Sequence, residues 1–178
     1  MKLTLVAAVS VLSTLASGLA LPDLTPRSTV IRPAIGVVIK QDSPTISFPP
    51  TPAEVSRLNQ LHEVRTLLGF VVPPCTGTCT ISFPTAATTA TGSAQLQLFS
   101  TLQYPTPATT WNTRPSTGNQ LGTFQVSTTG PATVLQNFGL TFDCPTTTTN
   151  KGYEVQPVND NDSVTWDFAT GGFIITCG

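Results

Sequence analysis

VRTLLGFVVPPCTGTCTISF, residues 64–83, decides how this chain is read. Its first nine residues are apolar and β-branched, apart from Arg65, Thr66 and Gly69. They are closed by Pro73-Pro74. An apolar run of this length ended by prolines predicts a strand covered on both faces rather than a helix. The next run, Cys79 to Phe83, alternates instead. Cys79, Ile81 and Phe83 fall on one face, Thr80 and Ser82 on the other, as in a strand with one solvated side.

The rest of the chain repeats this pattern. SAQLQLFSTL (93–102), GTFQVST (122–128), ATVLQNFGLTF (132–142), YEVQPV (153–158), SVTWDF (163–168) and GFIITC (172–177) are short, β-prone runs separated by Gly, Pro, Thr and Asn clusters. Such spacing predicts an all-β, antiparallel β-sandwich, jelly-roll-like. Upstream, AIGVVI (34–39) reads as a strand, and the four prolines of SPTISFPPTPA (43–53) leave room for one short edge strand. EVSRLNQLHEVRTL (54–67) carries helix-like spacing at Val55, Leu58, Leu61 and Val64. Without a cap, it reads as a turn or short helix running into a strand. Trp166 shares a strand face with Val164 and Phe168, which marks it as core.

The chain opens with Lys2, an apolar run over Leu3–Leu15 and a small-x-small end at Gly18-Leu19-Ala20. That is the form of a secretory signal peptide, 1–20. A proline-rich N-terminal extension, 21–53, then reads as an extended pro-segment with an edge strand, and 54–178 as the sandwich domain. After residue 20, about 158 residues remain, enough for one domain with a core. Eight basic and nine acidic residues give a net charge of −1, with no basic stripe for nucleic acid. No later run is long and apolar enough to span a bilayer. The expected location is secreted, or extracellular and held at a surface.

Cys75, Cys79, Cys144 and Cys177 are an even set, read as two disulfides with three possible pairings. In an extended strand, Cys75 and Cys79 would stand about 13 Å apart, beyond the roughly 7 Å a disulfide spans. A turn at Thr76-Gly77-Thr78 could still close them. Links from this segment to Cys144 and Cys177 are favoured. Zinc is the rival reading, weakened by a single histidine and the absence of a second closely spaced cysteine pair.

RTLLGFVVPP followed by CTISF, then TTWNTRPS with LGTF, then TWDFATGGFIITCG resembles the But-type C-terminal domain family of fungal secreted proteins. That family is named for a binding protein of a ubiquitin-like-modifier activating enzyme. The same order is also similar to DNRLRE-type extracellular β-sandwich domains, some of which are carbohydrate-binding. The resemblance covers about residues 63–178. It implies a jelly-roll-like sandwich in a cell-wall or cell-surface setting.

TTWNTRPS (109–116) is the one stretch that looks like a ligand site. Trp111 would be a flat platform, with Asn112 and Arg114 hydrogen-bonding sugar hydroxyls. The competing reading makes it a loop that plugs one end of the sandwich. There, Asn112 caps its own turn and Arg114 stacks on an aromatic ring or pairs with Asp143 or Asp167. Nothing forms a catalytic motif. His62 stands alone, G-x-S-x-G is missing, and the carboxylates are scattered. Asp160 and Asp162 resemble a calcium run but lack the glycine and distal glutamate of a hand-type loop. Asn161-Asp162-Ser163 is a glycosylation sequon, and the threonines of 85–91 and 146–149 are candidates for O-linked sugars. No cofactor is expected. The predicted function is a non-catalytic cell-wall or cell-surface protein whose partner is a wall polysaccharide or a surface protein; the alternatives are a secreted adhesion or effector-like protein-interaction module using a sheet edge or loop and, last, a small hydrolase.

Overall fold

The computed structural model describes residues 28–178. The signal-peptide reading of 1–20 lies outside the described residues. Fourteen strands follow in chain order: β1 Thr29–Ile31, β2 Ile35–Lys40, β3 Ser47–Phe48, β4 Ala53–Leu58, β5 Leu61–Val72, β6 Thr78–Ser82, β7 Thr89–Thr91, β8 Gln95–Thr101, β9 Thr117–Gln125, β10 Thr133–Asn137, β11 Thr141–Asp143, β12 Thr149–Pro157, β13 Asp162–Trp166 and β14 Ile174–Cys177. Every pairing is antiparallel. No helix occurs among the described residues, so none is long and apolar enough to cross a membrane.

The strands form two sheets, one of four strands ordered β1-β14-β6-β11 and one of ten with β10 at one edge and β7 at the other. Their facing surfaces share one core. From the large sheet come Leu68, Phe70, Leu96, Leu98, Phe124, Val155 and Trp166; from the small sheet and its flanks come Cys79, Ile81, Phe83, Phe173 and Ile175. Trp166, Phe83, Phe124 and Phe173 meet edge to face at 5.1–6.3 Å between ring centroids, the arrangement aromatic quadrupoles favour. The molecule is therefore an all-β sandwich, as the alternating runs predicted.

Strand β5 explains the continuous apolar run. Leu68, Phe70 and Val72 point into the sandwich core. Leu67 points the other way and joins Val37 and Ile39 in a second, small core. Both faces are covered over Leu67–Phe70, so that stretch carries no polar side chain.

Two elements differ from the sequence expectation. The helix-like 54–67 stretch is a hairpin of β4 and β5. Asn59 and Gln60 both take left-handed backbone angles, φ 55° and 60°, the geometry of a two-residue hairpin turn. Leu58 and Leu61 flank that turn and are exposed, while Val55 and Val64 are buried. The apparent helical period came from two turn-flanking leucines. The run 132–142 is not one strand. It divides at Asn137, whose Oδ1 accepts hydrogen bonds from the backbone N–H groups of Gly139 and Leu140 at 3.1 and 3.0 Å. β10 before the turn lies in the large sheet, and β11 after it in the small one.

Strand pairing also begins upstream of residue 54. β1 pairs with β14, and β2 runs beside β5 over six residue pairs, from Ile35–Gly69 to Lys40–Val64. From residue 28 onward, the proline-rich segment is woven into both sheets.

Candidate functional site

The loop between β8 and β9 carries TTWNTRPS. It does not plug an end of the sandwich; it lies over the outer face of the large sheet. Its local form comes from paired threonines. Thr109 accepts from Thr106 N–H through its hydroxyl at 2.9 Å, and Thr113 accepts from Thr110 N–H in the same way at 3.0 Å. These hydroxyl-capped turns do the work assigned above to the Asn112 side chain. The backbone N–H of Asn112 donates to Pro44 O at 3.0 Å, which ties the loop to the segment after β2.

Trp111 is half-buried against the small core of Val37, Ile39 and Leu67, with Ile35 beside it. The Arg114 guanidinium lies 4.4 Å from its ring centroid and the Arg65 guanidinium 5.0 Å. Arg114 also donates to the Trp111 carbonyl. Of the partners offered for Arg114, the aromatic ring is the one it takes; it makes no ion pair with Asp143, Asp167 or any other described carboxylate. Farther along the loop, Tyr104 lies on Gly69. A Cβ at residue 69 would stand 2.7 Å from the ring, so glycine there is a condition of the cover.

Beneath Trp111 runs a charge network. Glu154 is fully buried, accepting from Arg65 Nη1 at 2.8 Å and from the Thr117 hydroxyl at 2.6 Å. Arg65 Nε also donates to Glu63 at 2.9 Å, and Arg57 donates to the same Glu63 oxygen at 2.9 Å. Burial pushes the Glu63 carboxyl up, but the hydrogen bonds and positive charges of Arg65 and Arg57 outweigh it and hold the group below its ordinary range. Burial likewise pulls the Arg65 guanidinium down, and its bonds to Glu63 and Glu154 more than restore it. The register hides this pairing from sequence. Glu154 stands opposite Leu67 across the β12–β5 pair, so Arg65, two residues away, is its diagonal neighbour on the same face.

What remains open at the loop is polar. Asn112, Arg114, Pro115, Ser116 and Thr117 line a shallow recess of about 410 Å³. Trp111 contributes its ring to the fold, while Asn112 and Arg114 reach this recess. A more apolar recess of about 360 Å³ lies elsewhere, between Pro52, Thr88 and Phe168.

The remaining sequence candidates serve turns and pairings. Asp162 is buried and accepts from Ser93 N–H, from the Ser93 hydroxyl and from Asn159 N–H, while Asp160 accepts from Gln60 N–H at 2.8 Å. The two carboxylates thus tie the β12–β13 turn to the β7–β8 turn through Ser93 and to the β4–β5 turn through Gln60. Asn161, between them, is exposed with φ 58°. Asp167 closes a turn by accepting from Thr170 and Ala169 N–H, which holds its carboxyl below the usual range. His62 is exposed, its Nδ1 2.6 Å from Asp42. The cysteines form two disulfides, Cys75–Cys144 and Cys79–Cys177, so each end of the 75–79 segment is linked to a distant strand.

One feature has no counterpart among the sequence candidates. All five residues of β10 are exposed, and it is an edge of the large sheet. Val134, Leu135 and the adjoining Phe138 are 45, 47 and 61% exposed. No charged residue occurs from Ser127 to Phe142. Exposed apolar edges are usually blunted by lysine, proline or a bulge. Here the only such device is a bulge at Leu135, between the pairs Val134–Phe124 and Gln136–Thr123. The sequence signal was available in that uncharged run, but alternation alone does not say which strand is an edge.

Taken together, these features define an antiparallel β-sandwich whose open surfaces include the β10 sheet edge, a polar recess beside Arg114 and a more apolar one beside Phe168. The chain belongs to the family described as Ubiquitin 3 binding protein But2 C-terminal domain, whose model matches residues 32–168. The match bears out the But-type resemblance from residue 63 to 168 and extends it upstream to residue 32, across β2, β3 and β4; the closing GGFIITCG (171–178) lies beyond it. No curated protein matches the chain.

Proposed function

We propose that this chain is a non-catalytic protein-interaction module that binds its partner along the β10 edge. The observation that carries the proposal is the uncharged β10, exposed at each of its five residues, with Val134, Leu135 and Phe138 at the surface. An incoming extended segment would complete the ladder on its unpaired side and cover these apolar side chains. The family's name, that of a Ubiquitin 3 binding protein, also favours a protein partner. An extracellular site of action rests on the signal-like stretch 1–20 and the two disulfides.

Affinity capture from extracellular and cell extracts, with the native chain and a Val134→Lys/Phe138→Lys variant as parallel baits, tests this. A partner held by the native chain and lost by the folded variant is the expected result. Equal retention by both would refute the edge as the docking site.

A second reading is favoured by the polar recess. Asn112, Arg114 and Ser116 present hydrogen-bonding groups toward solvent, suited to the hydroxyls of a wall polysaccharide. With guanidinium groups against the Trp111 ring, a sugar would meet Arg114 before indole. Pull-down on chitin and β-glucan with native and Arg114→Ala chains tests it, and equal binding by both would count against it.

A further inference from the structure

The two disulfides lie against each other. Cys75 and Cys144 are half-exposed, whereas Cys79 and Cys177 are 0 and 2% exposed. The Cys79 sulfur sits 3.5 Å from Cys75 Sγ and 3.6 Å from Cys144 Sγ, and all four sulfurs lie within 4.8 Å of one another. The backbone keeps these cysteines together independently of the sulfur bonds. Cys79 faces Cys177 in the β6–β14 ladder, and Asp143, just before Cys144, faces Thr78 in the β11–β6 ladder. Cys75 N–H donates to Pro145 O at 3.2 Å, and Cys144 N–H to Gly77 O at 3.1 Å. Opening one disulfide therefore leaves its sulfurs beside the other.

We propose that the four cysteines form an internal thiol–disulfide relay, in which the outer Cys75–Cys144 bond gives external thiols access to the buried Cys79–Cys177 bond. The reactant is a small thiol or dithiol. Its thiolate attacks one outer sulfur, forms a mixed disulfide there and releases the other outer cysteine as a thiolate. If Cys144 is attacked, Cys75 is released; if Cys75 is attacked, Cys144 is released. The freed thiolate then attacks Cys79 Sγ. A bond forms from Cys75 or Cys144 to Cys79, the Cys79–Cys177 bond breaks, and Cys177 leaves with the electron pair and takes a proton from water. This internal step exchanges one disulfide for another with no net oxidation or reduction; any net reduction comes from the external thiol. Access is what the relay supplies. Exchange requires a thiolate to reach a sulfur, and the inner pair is shielded from solvent.

The variants Cys75→Ser and Cys144→Ser each carry one free outer thiol and need no added reductant. After incubation at mildly alkaline pH, acid quenching and alkylation, disulfide mapping should find Cys79–Cys144 beside Cys79–Cys177 in Cys75→Ser. It should find Cys75–Cys79 beside Cys79–Cys177 in Cys144→Ser. Only Cys79–Cys177 in both variants would overturn the relay. So would comparable amounts of Cys144–Cys177 in Cys75→Ser, the mark of exchange in an unfolded chain. As a second measurement, glutathione should open Cys79–Cys177 in the native chain at least about tenfold faster than in a folded Cys75→Ser/Cys144→Ser variant, because rates follow access. Equal rates would also overturn it.

Discussion

Trp111 owes its position to what lies above and below it. Val37, Ile39 and Leu67 support it, and the guanidiniums of Arg65 and Arg114 lie against its ring. Trp111→Ala should therefore cost stability even if no ligand is bound. Half-burial places the loss at about 2–3 kcal/mol, below the 3–5 typical of a fully buried tryptophan, and denaturant unfolding reads it. Arg65 carries more. Its removal leaves Glu154, which is fully buried, with only the Thr117 hydroxyl. Arg65→Ala should cost about 3–5 kcal/mol, the range for orphaning a buried charge. Glu63 supplies a pH dependence. Its folded-state carboxyl lies below the ordinary 4.5. Its contribution is therefore complete above that value and lost as pH falls through the lower folded one. Melting temperature should fall through this acid range in the native chain and fall less in Glu63→Gln. Matching slopes would remove Glu63 from the account.

At the scale of elements, the sequence showed clearly whatever depends on local alternation. Cys79, Ile81 and Phe83, or Leu96 and Leu98, sit where period two placed them, because one face of each strand meets the core. The β4–β5 hairpin was hidden because its turn is Asn59-Gln60 rather than a glycine pair, and the exposed Leu58 and Leu61 imitated a helical stripe. Gly69 was also silent. Its reason is Tyr104, 35 positions away in sequence and in contact in space. Gly69→Ala should force that ring off the sheet and cost about 1–3 kcal/mol, measurable by thermal unfolding. The β10 edge was missed for a similar reason. An edge is a property of the sheet order, and order is set by pairings that no single strand encodes.

Across the whole molecule, the sandwich architecture was legible, and the distribution of roles was not. The rare residues of TTWNTRPS drew attention as a binding site. In the fold, Trp111 and Arg65 close a small core behind the large sheet, while the least conspicuous stretch, TVLQN, supplies the open edge. The N-terminal segment was read as a proline-rich extension, yet β2 runs along β5 and β1 closes an edge of the small sheet, because prolines confined to the connections leave the intervening runs free to pair. The charge network was illegible because it joins Arg57, Glu63, Arg65, Thr117 and Glu154 across four strands, with no motif in sequence.

The most direct test is amide hydrogen exchange on the native chain, alone and with the partner retained in the capture experiment. Bound partner should slow exchange across Thr133–Asn137 and leave residues 109–117 unchanged. Protection of 109–117, with β10 exchanging as in the free chain, would contradict the account.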